Sequence, residues 1–493
     1  MNDNTVKSNT IYSSVKWSMY GQAGTEILRF GLSVVMARLL TPDDFGLIAM
    51  AGVVIGFLSI FRYLGTSDVI IQRKELSQTL LSSLFYVNVI LGTTLSLAIY
   101  FSGPFLAEIY EDVRVGGVIQ VLGLSFIISS FGMVQRSLLT RTMEFNKLIP
   151  INLIAIVAQA TVAITLGSLG YHVWALVFAN LANATVDTIV LWRFSKWRPS
   201  LICKWSEIKE VVGFSMNVTG AGIIHYFTRN TGDFVIGRWI GATALGFYSL
   251  GYRLYLYPLN SITRVLMRVF FPTFSRQQDD DAELCRTFVR LCGGIAMVTF
   301  PLMIGIAVLA KPLVLTLYGE KWAEAIPIII ILAPIGMLQS LATPTGRIYI
   351  AKGRADLNFR WMLISGLFVV GAFFVGLNWG VLGVVTSYAI VMLPVTLISF
   401  YLAFYILKHP ISMLIKALQP YFVATFVMGG LVYGLRYFLD QMILIPQIIM
   451  AVCVPFGVIV YIIMILYFKP PALYDMGEVI PGGKKILYRW FRK

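Results

Sequence analysis

Charged residues are scarce in this chain: of its 493 residues only 13% are Asp, Glu, Lys or Arg, whereas 58% are hydrophobic. A soluble globular protein needs a charged surface around its core, so this composition excludes that class. No polar stretch is long enough to form a separate soluble domain. The chain is therefore predicted to be a polytopic membrane protein.

Cysteine, histidine and nucleotide-binding motifs are also sparse. The four cysteines, Cys203, Cys285, Cys292 and Cys453, have neither a Cys-x-x-Cys spacing nor a spaced set of histidines, so we expect them to be reduced and structural. The chain has no glycine-lysine loop that would hold ATP phosphates. We therefore expect no catalytic residue, metal or cofactor. The expected energy source is an ion gradient, the membrane potential or the substrate gradient.

Long apolar runs occupy nearly the whole chain. Runs of about 20 residues cross a hydrocarbon core of roughly 30 Å as helix, and these runs lack the alternation of transmembrane β-strands. The fold class is predicted to be all-α, with about fourteen transmembrane helices. Their predicted ranges are 12–38, 44–66, 78–102, 115–138, 145–169, 171–193, 210–237, 243–269, 284–310, 324–348, 358–377, 380–406, 414–437 and 443–467.

Lysine and arginine are distributed unevenly along the chain. They cluster in the even-numbered connections between predicted helices and in the C-terminal tail, and an even number of helices puts the N-terminus on the same side as that tail. The positive-inside rule places these segments in the cytoplasm, so both termini are predicted to be cytoplasmic. Much of the net charge of +15 then reflects topology, and no nucleic-acid partner is expected.

One connector occurs twice, at an offset of 200 residues. Residues 37–46 read "ARLLTPDDFG" and residues 237–246 read "GRWIGATALG", and the same offset relates Arg29 to Arg229. Later matches lie at slightly larger offsets: Pro104 to Tyr110 with Pro312 to Tyr318 at 208, and Arg136 and Arg141 with Arg347 and Lys352 at 211. These matches predict an internal repeat, which is typical of transporters.

The first connector is predicted to be the outer turn between the first two helices. Pro42 and Gly46 are expected to bend the backbone there, and Asp43 and Asp44 are expected to face water.

The repeat unit holds six predicted helices, so both copies have the same orientation. They are expected to form two lobes related by a pseudo-twofold axis normal to the membrane, with a substrate site between them near the midplane. The predicted domains are an N-terminal six-helix lobe at 1–200, a C-terminal six-helix lobe at 201–408, two additional transmembrane helices at 409–470 and a basic cytoplasmic tail at 471–493.

Arginines within the predicted helices mark a candidate binding site. Arg29 lies in the first helix, Arg229 in the seventh and Arg253 in the eighth. A charge at the bilayer centre costs at least about 2.5 kcal/mol, so it normally faces a cavity or a partner. Arginine binds two phosphate oxygens at once. These three residues are therefore predicted to line a cationic cavity for a phosphorylated substrate.

Glu26, His225 and Asp233 are candidate protonation sites that would couple transport to an ion gradient. A structural alternative is open at this point: Glu26 pairs with Arg29, Asp233 pairs with Arg229, and both pairs only fix helix packing. Arg253 would lie near a membrane interface if the helix boundaries were displaced.

Five stretches carry a family resemblance: "ARLLTPDDFGLIAM", "DVIIQRKELS", "MEFNKL", "RVLMRVFFPTFSRQQDD" and "LYGEKWAEAIPI". In wording, order and spacing they resemble the bacterial polysaccharide flippases of the multidrug/oligosaccharidyl-lipid/polysaccharide exporter superfamily, most closely the colanic-acid-exporter-like branch. The resemblance extends over nearly the whole chain and is clearest over residues 1–360.

The resemblance implies a flippase in the bacterial inner membrane, and not an enzyme. Such a protein moves polyprenyl-pyrophosphate-linked oligosaccharide repeat units from the cytoplasmic to the outer leaflet by alternating access, for surface or extracellular polysaccharide. Its implied partners are this lipid-linked oligosaccharide, membrane lipids, and glycan polymerase and assembly proteins.

Two alternatives are a multidrug or cation exporter of the same superfamily and a membrane enzyme of glycan assembly. The exporter would have a more acidic cavity, and the enzyme would need a larger outer loop and a catalytic set of residues.

Overall fold

The computed structural model describes residues 21, 24–63, 66–73, 75–204, 223, 226–256, 263, 274, 277 and 279–471. Within these ranges the secondary structure is helical and contains no β-strand. The all-α prediction is confirmed. His225 and the part of the basic tail after residue 471 lie outside the described residues.

The chain divides into two compact units, residues 1–246 and 247–493. In the first unit the helices are α1 (24–39), α2 (Pro42–Tyr63), α3 (Thr66–Gln72), α4 (Gln78–Tyr110), α5 (Val113–Ser130), α6 (Met133–Arg141), α7 (Phe145–Ser168), α8 (Val173–Phe194), α9 (226–239) and the start of α10 (242–256). The predicted lobe boundaries at 200, 408 and 470 stay predictions.

The second unit holds the rest of α10 and eight further helices among the described residues. They are α11 (Asp281–Val308), α12 (Ala310–Leu317), α13 (Ala325–Ala342), α14 (Thr345–Ala351), α15 (Ala355–Gly376), α16 (Gly380–Ile406), α17 (Ser412–Gln441) and α18 (Pro446–Phe468).

Ten helical segments in the described part of the chain are long and apolar enough to cross a membrane. They match every predicted span except the first, seventh and eighth, and one segment covers both the eleventh and the twelfth. The three unmatched spans fall on α1, α9 and α10, parts of whose predicted ranges lie outside the described residues. The chain is a multi-pass membrane protein, while the count of fourteen stays a prediction.

Two predicted spans are each divided into two helices. The predicted span 115–138 consists of α5 and α6, which are separated at Phe131 and Gly132. The predicted span 324–348 consists of α13 and α14, separated at Thr343 and Pro344, where proline lacks the amide hydrogen that a continuous helix requires. The second break follows the first by 212 residues (343 − 131), close to the offset of 211 of the predicted repeat in this region.

Interhelical hydrogen bonds connect the helices within each unit. In the first unit the Thr188 hydroxyl of α8 donates to the Ile128 carbonyl of α5 at 3.1 Å. In the second unit the Tyr349 hydroxyl of α14 donates to the Ser399 carbonyl of α16 at 2.7 Å. Such bonds help to hold helices together in lipid, where the hydrophobic effect does not drive their association.

Candidate functional site

The first connector begins α2 with a reciprocal cap. The Asp44 amide donates to Thr41 Oγ1 at 3.3 Å, and the Thr41 amide donates to Asp44 Oδ2 at 3.0 Å, which is the pattern of a capping box. Pro42 occupies the first helical position, where its missing N–H has no intrahelical partner to lose. Asp44 is only 4% exposed. The expectation that it faces water is therefore wrong, because the cap uses its carboxylate.

The two connectors pack directly against each other in the first compact unit. A Cβ at Gly46 would overlap the carbonyl oxygen of Ala242, and a Cβ at Gly246 would overlap the carbonyl oxygen of Pro42. The two contacts are reciprocal, since the offset of 200 relates both the glycines and the carbonyls. Only glycine permits an approach this close. We call this feature the reciprocal glycine contact.

A polar network surrounds the reciprocal glycine contact. The Thr243 hydroxyl donates to Asp43 Oδ1 at 3.2 Å, across the two connectors. The ion pairs of the network are Arg114 with Asp43 at 2.6 Å, Arg114 with Asp112 at 2.7 Å and Arg238 with Glu111 at 2.7 Å. The hydrogen bond from Arg114 holds the pKa of the Asp112 carboxyl below its usual value. The network therefore joins both connectors to the turn between α4 and α5.

The packing of the two connectors continues along α2, which contacts α9. The Tyr226 hydroxyl of α9 donates to the Val53 carbonyl of α2 at 2.6 Å. Further along, the rings of Phe57 and Phe227 lie with their centroids 5.3 Å apart. From Pro42 to Phe57 is fifteen residues, or about 22 Å of helix. More than half of α2 is therefore packed against α9 and the start of α10.

Arg29 and Arg229 occupy equivalent positions on α1 and α9. Each lies thirteen residues before the start of the next helix (42 − 29 and 242 − 229), which is about 20 Å along a helix. Both side chains are exposed, and within the described part of the chain neither forms an ion pair or a side-chain hydrogen bond. The alternative in which Glu26 and Asp233 neutralise them is not seen. Their contact with substrate stays a prediction.

Arg253 lies on α10 in the second compact unit and is exposed. It is close enough to Tyr318 for its positive charge to interact electrostatically with the hydroxyl of that side chain. Burial raises the pKa of Tyr318, and the positive charge of Arg253 opposes this shift. Its role in the cationic site also stays a prediction.

The candidate coupling residues occupy different environments. Glu26 on α1 and Asp233 on α9 are half-buried. Asp233 lies within electrostatic reach of the hydroxyls of Tyr110 and Tyr226. His225 is outside the described residues. Among the residues that the structure describes, no group of three His, Cys, Asp or Glu side chains is placed to hold a metal ion.

The structure also shows an ion pair between two helices that we did not predict. Arg136 of α6 pairs with Asp187 of α8 and donates to Asn152 Oδ1 of α7 at 3.2 Å. Arg136 lies five residues before the end of α6 at Arg141, and Asn152 and Asp187 each lie seven residues, or roughly 10 Å, from the nearer end of their helices. The adjacent Gln135 is fully buried, and its side-chain amide has no hydrogen-bond partner among the described residues. The sequence did contain a signal for this pair. Asp187 lies in a different predicted span from Arg136, and charged residues within membrane spans rarely lack a partner.

The family follows from a match to most of the first compact unit and part of the second. Residues 35–327, more than half of the chain, match the family described as "Polysaccharide biosynthesis protein". The chain belongs to this family. The resemblance to bacterial polysaccharide flippases is thereby confirmed.

Two relatives of this polysaccharide biosynthesis protein match most of its length. It is 28% identical to the lipopolysaccharide biosynthesis protein WzxC of Escherichia coli (strain K12), over 80% of this chain and 81% of that one. It is 27% identical to the teichuronic acid biosynthesis protein TuaB of Bacillus subtilis (strain 168), over 93% and 96% of the two chains.

A solved structure shares its fold. The lipid II flippase MurJ in an inward closed conformation superposes with a TM-score of 0.73 at 13% identity, covering 92% of this chain and 98% of that one. At this identity the similarity shows that the two chains have the same fold.

Proposed function

We propose that this protein is a transporter that moves polyprenyl-pyrophosphate-linked oligosaccharide repeat units from the cytoplasmic to the outer leaflet of a bacterial inner membrane by alternating access. The family and the flippase fold support this proposal. Arg29 and Arg229 carry it, because both are exposed, in equivalent positions on helices that the sequence predicts to cross the membrane, without an acidic partner among the described residues.

The arginines suit the pyrophosphate of such a substrate. Two guanidinium groups that no described carboxylate neutralises are costly within a membrane unless an anion meets them, and a planar guanidinium binds phosphate oxygens in pairs. We propose Arg253 as a third contact, while the sugars occupy a hydrated space and the polyprenyl tail stays in lipid. A cation exporter would place acids at these positions.

The proposed orientation has both termini in the cytoplasm and the two connectors at the outer surface. On this orientation the reciprocal glycine contact and the packing of α2 on α9 would lie at the outer side of the transport pathway. They would keep that side closed. Protonation of Glu26, Asp233 or His225 would couple opening to an ion gradient. A glycan polymerase and assembly proteins would then use the delivered repeat unit.

The test uses a host that makes the lipid-linked repeat unit but lacks its own flippase. The Arg29→Ala and Arg229→Ala variants are each expected to lower the rate of export about tenfold or more, because a hydrogen bond to a charged group contributes about 1.5–3 kcal/mol. The measurement is the amount of repeat unit that a membrane-impermeant glycan label reaches in intact cells. Undiminished labelling in the double variant, at wild-type membrane abundance, would contradict the proposal.

Arg360→Ala provides the matched control, since Arg360 is an exposed arginine at the start of α15. It is expected to export normally. The exporter alternative is tested in the same cells with ethidium. Lower ethidium accumulation in cells that produce the protein, with no change in glycan labelling, would favour that alternative.

A further inference from the structure

An apolar groove lies in the second compact unit, between α11, α12, α17 and α18. Its volume is about 390 Å³, which falls within the range of roughly 300–1,000 Å³ typical of ligand sites. Its lining includes Pro301, Gly305, Leu313, Val432 and Cys453. We call this feature the apolar groove.

The lining of the apolar groove offers no free hydroxyl to a ligand. Tyr461 has the only hydroxyl among the lining side chains, and it already donates to the Met297 carbonyl at 2.9 Å. The other lining side chains are hydrocarbon, thioether or thiol, and proline and glycine complete the wall. A polar ligand would lose its hydration here without compensation, so the groove suits a hydrocarbon chain.

The apolar groove has the length of one bilayer leaflet. Its lining on α18 runs from Met450 to Ile462, twelve residues or about 18 Å. One leaflet contributes roughly 15 Å of the hydrocarbon core. The lining begins four residues after α18 starts at Pro446, so the groove extends from one membrane surface towards the midplane.

Arg436 lies at the end of the apolar groove near that surface. Its Nη1 donates to the Val308 carbonyl at 2.6 Å, next to the lining residue Leu309. Its Nε donates to Asp440 Oδ2 at 3.3 Å, within an ion pair along α17. These bonds use two of the five N–H donors of a guanidinium. The remaining donors suit a phosphate group.

We propose that the apolar groove binds one phospholipid of the surrounding leaflet, with an acyl chain along α18 and the phosphate at Arg436. On the orientation proposed above this is the outer leaflet. The length of the groove and the position of Arg436 match the chain and the phosphate of one such lipid. The bound chain supplies packing contacts that α11 and α18 otherwise lack along the groove.

Filling the apolar groove tests the proposal. Gly305 lines the groove, and a Cβ there has no atom within 4 Å, so Gly305→Leu adds a side chain at the wall of the groove. Gly430→Leu is the matched control: Gly430 on α17 has equally open space but does not line the groove. Both changes replace a helical glycine with a better helix former.

The measurement is native mass spectrometry of delipidated protein titrated with dioleoyl phosphatidylglycerol. The wild type and Gly430→Leu are expected to retain one tightly bound lipid, and Gly305→Leu is expected to bind it at least about tenfold more weakly. Equal binding by Gly305→Leu would overturn the proposal. The thermal unfolding midpoint checks folding, and Gly305→Met provides a smaller filling variant if Gly305→Leu does not fold.

The phosphate contact has its own test. Arg436→Ala is expected to weaken lipid binding about tenfold, whereas Lys416→Ala, at an exposed lysine near the other end of α17, is expected to leave it unchanged. Equal binding by Arg436→Ala and wild type would remove the phosphate assignment. Geranylgeranyl phosphate at an equal concentration is expected not to displace the phospholipid, and displacement would assign the groove to an isoprenoid instead.

Discussion

The two connectors share their closest contact and differ in how they begin a helix. The first starts α2 with the capping box of Thr41 and Asp44. The equivalent positions of the second are Gly241 and Ala244, which have no side chain that can cap. Both connectors keep a glycine against a carbonyl of the other. The helix cap is therefore a local feature of the first connector alone. The reciprocal glycine contact needs both connectors.

The largest expected effect follows from removing one side of the reciprocal glycine contact. Gly46→Val places a side chain where the Ala242 carbonyl lies, and overpacking of this kind costs about 1–3 kcal/mol. We expect the fraction of molecules that form the reciprocal glycine contact to fall roughly tenfold or more. The measurement is disulfide formation between cysteines introduced at Asp43 and Thr243, whose side chains are in hydrogen-bond contact.

Two further variants sharpen this prediction. Gly246→Val is expected to have an effect of the same size, because the contact is reciprocal. Gly52→Val on α2 is the matched control, since its Cβ would meet nothing within 4 Å. If Gly46→Val lowered cross-linking while Gly246→Val did not, the two sides would not be equivalent.

A smaller effect is expected from the capping box. Asp44→Ala removes the acceptor of the Thr41 amide, and losing a cap of this kind costs about 1 kcal/mol. Thr243→Ala in the second connector removes only one partly exposed hydrogen bond and is expected to have little effect. The thermal unfolding midpoint in detergent measures both, and equal losses would show that the box adds nothing.

The smallest effect concerns acid pH. The pKa of Asp112 is lowered by the hydrogen bond from Arg114, so its contribution to stability is full above the unfolded pKa of about 3.9 and is lost as the pH falls through the lower folded value. The wild type is expected to lose slightly more stability than Arg114→Ala between pH 5 and acid conditions, by roughly 1 kcal/mol or less. Parallel pH profiles of the unfolding midpoint would contradict this.

The membrane helices were predictable because the length and apolarity of a run determine whether it can cross a bilayer. The breaks at Gly132 and Pro344 were not predicted, since the apolar runs continue through both. The pattern Thr41-x-x-Asp44 did contain a capping signal, and we misread Asp44 as a solvent-facing residue. The capping pattern predicts that the Asp44 carboxylate accepts a hydrogen bond from the Thr41 amide, and this prediction would have corrected the interpretation.

In the candidate site, too, some residues could be predicted from the sequence and others could not. The offset of 200 in the sequence alone places Arg29 and Arg229 in equivalent positions. The ion pair joins Arg136 to Asp187, which are 51 residues apart in the sequence. The repeat did not indicate it, because the residue equivalent to Asp187 at offset 211 is Ile398. An internal repeat predicts only the features that both copies share. A feature of one copy, such as this ion pair, becomes visible only in the folded structure.

The reciprocal glycine contact has the form of an isologous dimer interface, in which residue i meets residue j and residue j meets residue i. In a dimer of identical chains, one substitution strikes such an interface twice. Here both halves lie in one chain, which removes that constraint. Each connector can then change alone, as the capping box on one side illustrates, while the glycines at 46 and 246 are still required together.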